Sequence, residues 1–513
     1  MSIIVETGLG KLNGISHDDF QEFRGVPYAE PPIGENRLKA PQALQPWDDV
    51  RNANRFSDAC FQEEISMFGI GNTSEDCLYL NIWTPAADNK QRPVLVWIHG
   101  GGYATGSGAQ LIYRGRDLAR NGDVVVVTIN YRLGALGFLH LEGLIDERFG
   151  VSNNNGLLDQ IAAISWVKQQ IHHFGGNGDE ITLMGESAGA MSVATLMACP
   201  SARPLFKRAI LQSGSGDHVL AKADANKISQ TFLQAAEIDP ANPEKLWQLT
   251  EKQILKAQRA CARVVINRGL HRQTVTQIGM AFMPVVDGEL LPQPPITAIE
   301  NGAAADIPLL VGYTRDEWNL FLHTPGPDGS TLAQKKYSHL DKLGLIELCE
   351  RGVPGLGEKT ANLYEQVARS HNEEADYIDM YSAFETDRMF RIPSLNIAAG
   401  QSQHSQHVYA FSFEWDKGIF GACHAVDIPF VFGGVNRGIG QILTGGGEQA
   451  EKLCERVQAC WIAFARSGNP GTDAVGAWPG YDTKSRKVMI FDEEIRVESD
   501  PARETRQHWE GIL

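Results

Sequence analysis

The stretch that most constrains this chain is Ile181-Thr182-Leu183-Met184-Gly185-Glu186-Ser187-Ala188-Gly189-Ala190. Ile181 to Met184 reads as a short apolar strand, and Ala188 to Cys199 as a run of helix formers with no proline before Pro200. A strand that becomes a helix within five residues must fold back sharply, and Gly185 and Gly189 are small enough to allow it. Such a turn pushes Ser187 out at the end of the strand, with the backbone N–H groups of a helix N-terminus behind it. A serine hydroxyl is a poor nucleophile until it is exposed, oriented and met by a base. The G-x-S-x-G pattern occurs once in the chain and in this setting, so Ser187 is the candidate nucleophile.

The rest of the chain supplies a frame for that turn. Ile3 to Val26 alternates apolar and polar residues around Gly8, Gly10 and Gly14, as in an antiparallel meander. Pro93 to Ile98 and Val124 to Ile129 are apolar almost throughout, which suits strands covered on both faces. Leu157 to Phe174 has helical period and ends at Gly175-Gly176; Glu451 to Ala465 is a second helix, closed by Gly468 and Pro470. Further strands are expected at Leu78–Trp83, Arg208–Leu211, Leu309–Tyr313, Val408–Phe413 and Val488–Phe491. Strands alternating with helices predict an α/β fold with a mainly parallel sheet and helices on both faces. No linker divides residues 1–513, so one domain is expected. Two largely helix-patterned insertions, at about 217–278 and 331–399, are expected to pack over the C-terminal edge of the sheet, where ligands bind in such folds.

Ser187 needs partners, and the sequence offers candidates. His99-Gly100-Gly101-Gly102-Tyr103 follows an apolar strand, and consecutive glycines let backbone N–H groups approach a substrate. The loop is not a phosphate loop, since it lacks G-x-x-x-x-G-K-[ST] and G-x-G-x-x-G. The base should be a histidine downstream of the serine. His424 lies in a loop of small residues beyond the Val408–Phe413 strand; His404 and His407 lie in a polar run before it; His172-His173 ends a helix. The acid should lie between, at a strand end, where Thr314-Arg315-Asp316-Glu317 follows Leu309–Tyr313. The residues themselves leave Asp316 and Glu317 both open.

Several motifs together resemble the type-B carboxylesterases, the cholinesterase-like family of α/β-hydrolases. They include Phe23-Arg24-Gly25-Val26-Pro27-Tyr28-Ala29-Glu30-Pro31-Pro32, Ser74-Glu75-Asp76-Cys77-Leu78-Tyr79-Leu80-Asn81-Ile82 and Asn155-Gly156-Leu157-Leu158-Asp159-Gln160. His99 to Tyr103, the Ser187 turn, Gly312 to Glu317, and His424 through Gly433 are similar to it as well. The resemblance implies Ser187 as nucleophile, His424 as base and Glu317 as acid. It also implies an oxyanion hole of the Gly101, Gly102 and Ala188 N–H groups, with Glu186 and Ser213 in support. Asn177-Gly178, Ala190 and Trp318 depart from the family's usual residues, and Trp318 bears on the pocket wall. Cys60 and Cys77 match the ends of a loop that is disulfide-closed in secreted relatives, whereas Cys261 has no evident partner.

Composition narrows the remaining choices. A net charge of −16, with no basic stripe, argues against nucleic acid. No apolar run is long enough to span a bilayer, and Met1 to Gly8 lacks the features of a signal peptide, so a cytoplasmic protein is expected. In a reducing cytosol Cys60 and Cys77 would stay unpaired. The eight cysteines contain no C-x-x-C, no H-E-x-x-H is present, and neither metal nor cofactor is expected. The chain is thus expected to be a monomeric serine carboxylic-ester hydrolase acting on small-molecule esters. The alternatives are a non-catalytic binding module of the same fold and an acyl hydrolase preferring amides, carbamates or polyesters. Tyr103, Trp318 and Phe321 suggest an aromatic-lined pocket. Burial should lower the His424 pKa and Glu317 should raise it, which predicts a value within about a unit of the ordinary 6.5.

Overall fold

Apolar runs without alternation are explained by a sheet with two cores. The computed structural model describes residues 1–63, 69–145, 154–268, 271–274, 280–326 and 328–513. Among these, one sheet has thirteen strands. They are β1 (Ser2–Glu6), β2 (Lys11–Ser16), β3 (Gln21–Pro27), β4 (Val50–Asn52), β5 (Tyr79–Thr84), β6 (Arg92–Ile98) and β7 (Val125–Ile129), followed by β8 (Gly176–Glu186), β9 (Arg208–Gln212), β10 (Leu309–Thr314), β11 (Val408–Phe413), β12 (Lys487–Phe491) and β13 (Arg496–Ser499). Their order in space is β1-β2-β3-β5-β7-β6-β8-β9-β10-β11-β12-β13, with β4 beside β2. From β7 to β12 every neighbouring pair is parallel, and the pairs outside that block are antiparallel except β2 with β4.

Successive side chains of a strand point to opposite faces. Val94, Val96 and Ile98 of β6 join one core, with Leu157, Ile164 and Val167 from the helix Asn155–Gln170. Leu95 and Trp97 join the other, with Val457, Trp461 and Phe464 from the helix Glu448–Ser467. The α/β-hydrolase arrangement of helices on both faces follows from this division. The sharp end of the central strand, β8, then falls in the middle of the parallel block.

Residues 331–399 hold the helices Lys342–Gly352, Gly357–His371, Tyr377–Thr386 and Ile392–Ser402, with a small core of their own around Leu345, Tyr364 and Phe384. The stretch 217–278 is less uniform than its helical pattern suggests, and part of it lies outside the described residues. Helices Lys222–Ala235 and Glu251–Ala260 are followed by an antiparallel pair, Val265–Arg268 with His271–Thr274. The β-branched run Val264-Val265-Ile266 favours that strand over a further helical turn. Among the described residues no helix is long and apolar enough to cross a membrane.

Cys60 and Cys77 form a disulfide, contrary to the expectation that they stay reduced. Their Cα atoms lie 4.9 Å apart, well within bonding span, a closeness created by the fold rather than by their separation of 17 in sequence. The other six cysteines are buried thiols.

Candidate active site

Parallel strands deliver their C-terminal ends to one edge of the sheet. Gly185 of β8 is in register with Ile98 of β6 on one side and Leu211 of β9 on the other. The loop His99–Tyr103 therefore begins beside the turn at Ser187. Gln212 is in register with Gly312 of β10, and Thr314 with Phe413 of β11. The segments carrying Glu317 and His424 thus leave from the next two strands along the same edge.

Ser187 sits between β8 and the helix Ala188–Ala198 with φ 55° and ψ −127°, a conformation that costs a non-glycine residue energy. Surrounding contacts hold it there. Its N–H donates to the carbonyl of Gln212 at 2.9 Å, and its own carbonyl accepts from Met191 N–H at 2.9 Å. A Cβ at Gly189 would stand 2.0 Å from the carbonyl oxygen of Ile98, and one at Gly185 would stand 2.5 Å from the Gly189 carbonyl carbon. Those two glycines let the turn press against β6. Ser187 itself remains partly exposed while Glu186 and Ala188 on either side are buried.

Facing it, Gly101 (φ 107°) and Gly102 (φ 60°) adopt left-handed backbone conformations, and the Gly101 carbonyl accepts from the N–H groups of Ala104 and Thr105, both at 3.0 Å. This turn closes the loop on itself through its carbonyl. Among the described residues, the N–H groups of Gly101, Gly102 and Ala188 donate no hydrogen bond outside regular secondary structure. They are donors free to meet an oxyanion. His99 is turned inward: its Nδ1 lies 2.8 Å from the Gly100 carbonyl, its ring stacks on Tyr131, and burial pushes its pKa down to about 4.

His424 and Glu317 are both buried, with Nδ1 2.6 Å from Glu317 Oε2. The other carboxylate oxygen of Glu317 accepts the Thr314 N–H at 2.8 Å, and the backbones are tied by His424 N–H to the Glu317 carbonyl at 3.2 Å. The alternative acid points elsewhere: Asp316 is partly exposed and paired with Arg315 at 2.9 Å. At the far side of the ring, Nε2 lies 2.9 Å from Glu186 Oε1, close enough for a strong Coulomb attraction but not aligned as a hydrogen bond. No hydrogen bond joins Ser187 Oγ to His424 among the described residues.

This second carboxylate changes the electrostatics expected from sequence. Burial alone would lower the pKa of His424, but Glu186 and Glu317 together overcome it and raise the value to about 10. The expectation of a value near 6.5 counted only one carboxylate. Nearby Asp427 is also buried; burial and the neighbouring Glu186 and Glu317 charges push its carboxyl up to about 7 against the pull of the Gln212 amide, which donates to it at 2.7 Å. Ser213 is buried, with its N–H on the Gly312 carbonyl at 2.8 Å and its hydroxyl without a hydrogen-bond partner.

The aromatic surroundings differ from the sequence reading in one respect. Tyr103 is not a pocket wall: it is fully buried and packs edge-on against Phe138 at 5.0 Å. Phe321 lies 5.2 Å from the His424 ring and touches Trp318 at 4.7 Å. Phe390 lies closer still, at 4.6 Å from His424, and stacks with Phe321 at 6.1 Å. Phe390 carries no sequence signal, since it is one apolar residue in a helical stretch. Among the described residues no group of His, Cys, Asp or Glu is placed to hold a metal ion.

The carboxylesterase family profile matches residues 1–509. The para-nitrobenzyl esterase of Bacillus subtilis (strain 168) is 38% identical over 98% of this chain and 98% of its own length. The cholinesterase of Mus musculus is 32% identical over 96% of this chain and 83% of its own length. Among solved structures, a carboxylesterase of Geobacillus stearothermophilus superposes with a TM-score of 0.86 at 35% identity, covering 99% of both chains.

Proposed function

The chain belongs to the carboxylesterase family and is a serine carboxylic-ester hydrolase, and from that premise we propose that Ser187, His424 and Glu317 carry its reaction. The observation that carries this reading is the buried 2.6 Å contact between His424 Nδ1 and Glu317, set beside a strained and partly exposed serine. His424 Nε2 leaves Glu186, takes the Ser187 proton, and the hydroxyl oxygen attacks the ester carbonyl. The carbonyl oxygen gains charge and is met by the N–H groups of Gly101, Gly102 and Ala188. His424 then hands its proton to the departing alcohol, and water cleaves the acyl-enzyme by the same steps. Glu317 holds the tautomer in which Nε2 is the free base. Glu186 adds a second charge that favours the imidazolium formed at each proton transfer, and Ser213 supports the acid-bearing strand through Gly312.

The described parts of residues 217–278, together with 331–399, wall the pocket of a single catalytic domain. This is supported by Phe390 against His424 and by Met280, which follows the first segment and would lie 3.5 Å from a Cβ at Gly102. Phe321, Phe390 and Trp318 favour soluble esters of short to medium acyl chains. The net charge of −16 supports a small-molecule substrate over nucleic acid. A monomer in the cytoplasm remains the proposal for its state and location, with the Cys60–Cys77 disulfide as the feature that favours an oxidising compartment instead. Ser187→Ala is expected to stay folded and to lose ester hydrolysis on the order of 10⁶-fold. Wild-type protein should take up one organophosphate at Ser187, located by mass spectrometry. A variant keeping more than about a tenth of wild-type kcat would refute the assignment.

A further inference from the structure

Away from the Ser187 turn, a cavity of about 560 Å³ opens between the β3–β5 side of the sheet and the segment that follows the helix Ile428–Phe432. It shares no residue with Ser187, His424 or Glu317. Its size is that of pockets that hold small organic molecules. Phe20, Trp83, Ile112 and Phe432 supply apolar walls, and four guanidinium groups, of Arg24, Arg114, Arg116 and Arg437, line it as well.

The charges do not balance. Glu22, buried in the wall, is already taken: it pairs with Arg24, accepts from Trp83 Nε1 at 3.1 Å, and lies 2.8 Å from His17 Nε2. Asp117 is shared, paired with Arg437 and 3.4 Å from Arg116 Nε. Arg114 forms no salt bridge among the described residues, and the Glu22 charge acts on it only from a longer range. Its guanidinium lies over the Phe56 ring at 3.7 Å, and that of Arg24 lies over the same ring at 4.8 Å. Buried Arg24 Nε and Arg114 Nη1 have no hydrogen-bond partner, and Arg116 Nε has only its ion pair with Asp117. Unpaired buried guanidinium donors are costly, and although these nitrogens are closed off, Arg114 lines the cavity with a planar guanidinium of the shape that meets a two-oxygen anion. Burial and the charges of Arg24 and Arg116, opposed by that of Glu22, lower the pKa of Arg114 to about 10, which still leaves it charged at neutral pH.

We propose that this cavity is a second ligand site, one that binds a small organic carboxylate with its acid group on Arg114 and its apolar body against Trp83 and Phe432. Apolar walls select against inorganic anions, and the surplus of cations selects against neutral or cationic analogues of the same shape.

The test is calorimetric titration of the full chain with 4-phenylbutyrate and with the matched alcohol, 4-phenyl-1-butanol. The acid is expected to bind at one site, the alcohol at least about tenfold more weakly, and the preference to shrink as salt is raised. Arg114→Met should weaken the acid by about ten- to hundredfold, the range expected for losing a hydrogen bond to a charged group. The same variant should leave ester kcat/KM unchanged. Arg114→Lys should restore part of the affinity. If Arg114→Met fails to fold, Arg116→Met and the acid-against-alcohol comparison on the unaltered chain carry the test. Equal binding of acid and alcohol, no binding of the acid at millimolar concentration, or wild-type affinity in Arg114→Met would each overturn the proposal.

Discussion

Replacing Glu186 by glutamine removes one of the two charges on His424 while keeping the shape of the side chain. In the wild type the His424 pKa stands at about 10 against an ordinary 6.5, despite burial that works the other way. At about 1.36 kcal/mol for each pH unit, that difference is a net preference for the imidazolium on the order of 5 kcal/mol. Glu317 approaches Nδ1 at 2.6 Å and Glu186 approaches Nε2 at 2.9 Å, so both carboxylates pull on the ring. Two unit charges 4 Å apart at an effective dielectric of 20 interact by about 4 kcal/mol, so at about 1.36 kcal/mol for each unit the loss of one carboxylate lowers the pKa by roughly three units. The sign follows from the chemistry. In the proposed mechanism His424 must be neutral to accept the Ser187 proton, so kcat/KM rises as pH rises through its folded-state pKa. The wild-type acidic limb should therefore lie well above 6.5, and in Glu186→Gln it should move toward lower pH by about three units. The plateau should fall as well, since the imidazolium formed in the transition state loses a stabilising charge. The assay is kcat/KM for a soluble para-nitrophenyl ester from about pH 5 to 10, with the ester's own hydrolysis subtracted. Limbs that coincide in the two proteins would refute the account of Glu186. A wild-type limb near 6.5 would show that Glu186 does not act on His424 in the free enzyme, the state that kcat/KM reports.

Glu317→Gln should lower kcat by several orders of magnitude, about 10⁴ in a comparable triad, whereas Asp316→Asn should change it little because Asp316 faces Arg315; equal, mild losses would place the acid elsewhere. Gly189→Ala puts a Cβ 2.0 Å from the Ile98 carbonyl oxygen and should cost at least the roughly 1–3 kcal/mol of an overpacked core, read as a lower Tm. Butyrate esters should be cleaved with higher kcat/KM than palmitate esters of the same alcohol, because Phe321 and Phe390 close in on His424; the reverse order would count against the bounded pocket. The His424 charge pair should also stabilise the fold: its contribution is complete below the unfolded-state pKa near 6.5 and is lost as pH rises toward about 10, so a Glu317→Gln stability deficit measured by denaturant titration should shrink between those values.

What the sequence determined by itself is what local geometry and period can write. The β-branched runs of β6 and β7, the alternation at the N-terminus and the end of the Val408–Phe413 strand were legible because strand and helix periods differ and because apolar runs without alternation mean two covered faces. The turn at Ser187 was legible because only glycine fits at 185 and 189, a constraint that shows in the letters. Other features were decided in three dimensions. The residues alone could not choose between Asp316 and Glu317, since neighbours in a chain point in different directions and only one meets His424, which is 107 residues further on. The same holds for Glu186 on Nε2, for Phe390 over the imidazole, for the burial of Tyr103 and for the pairing of Cys60 with Cys77. A pKa is the extreme case. It depends on charge and burial within a few ångströms from every element that packs there, and those neighbours are brought together by the register of β6, β8, β9, β10 and β11 rather than by their order along the chain.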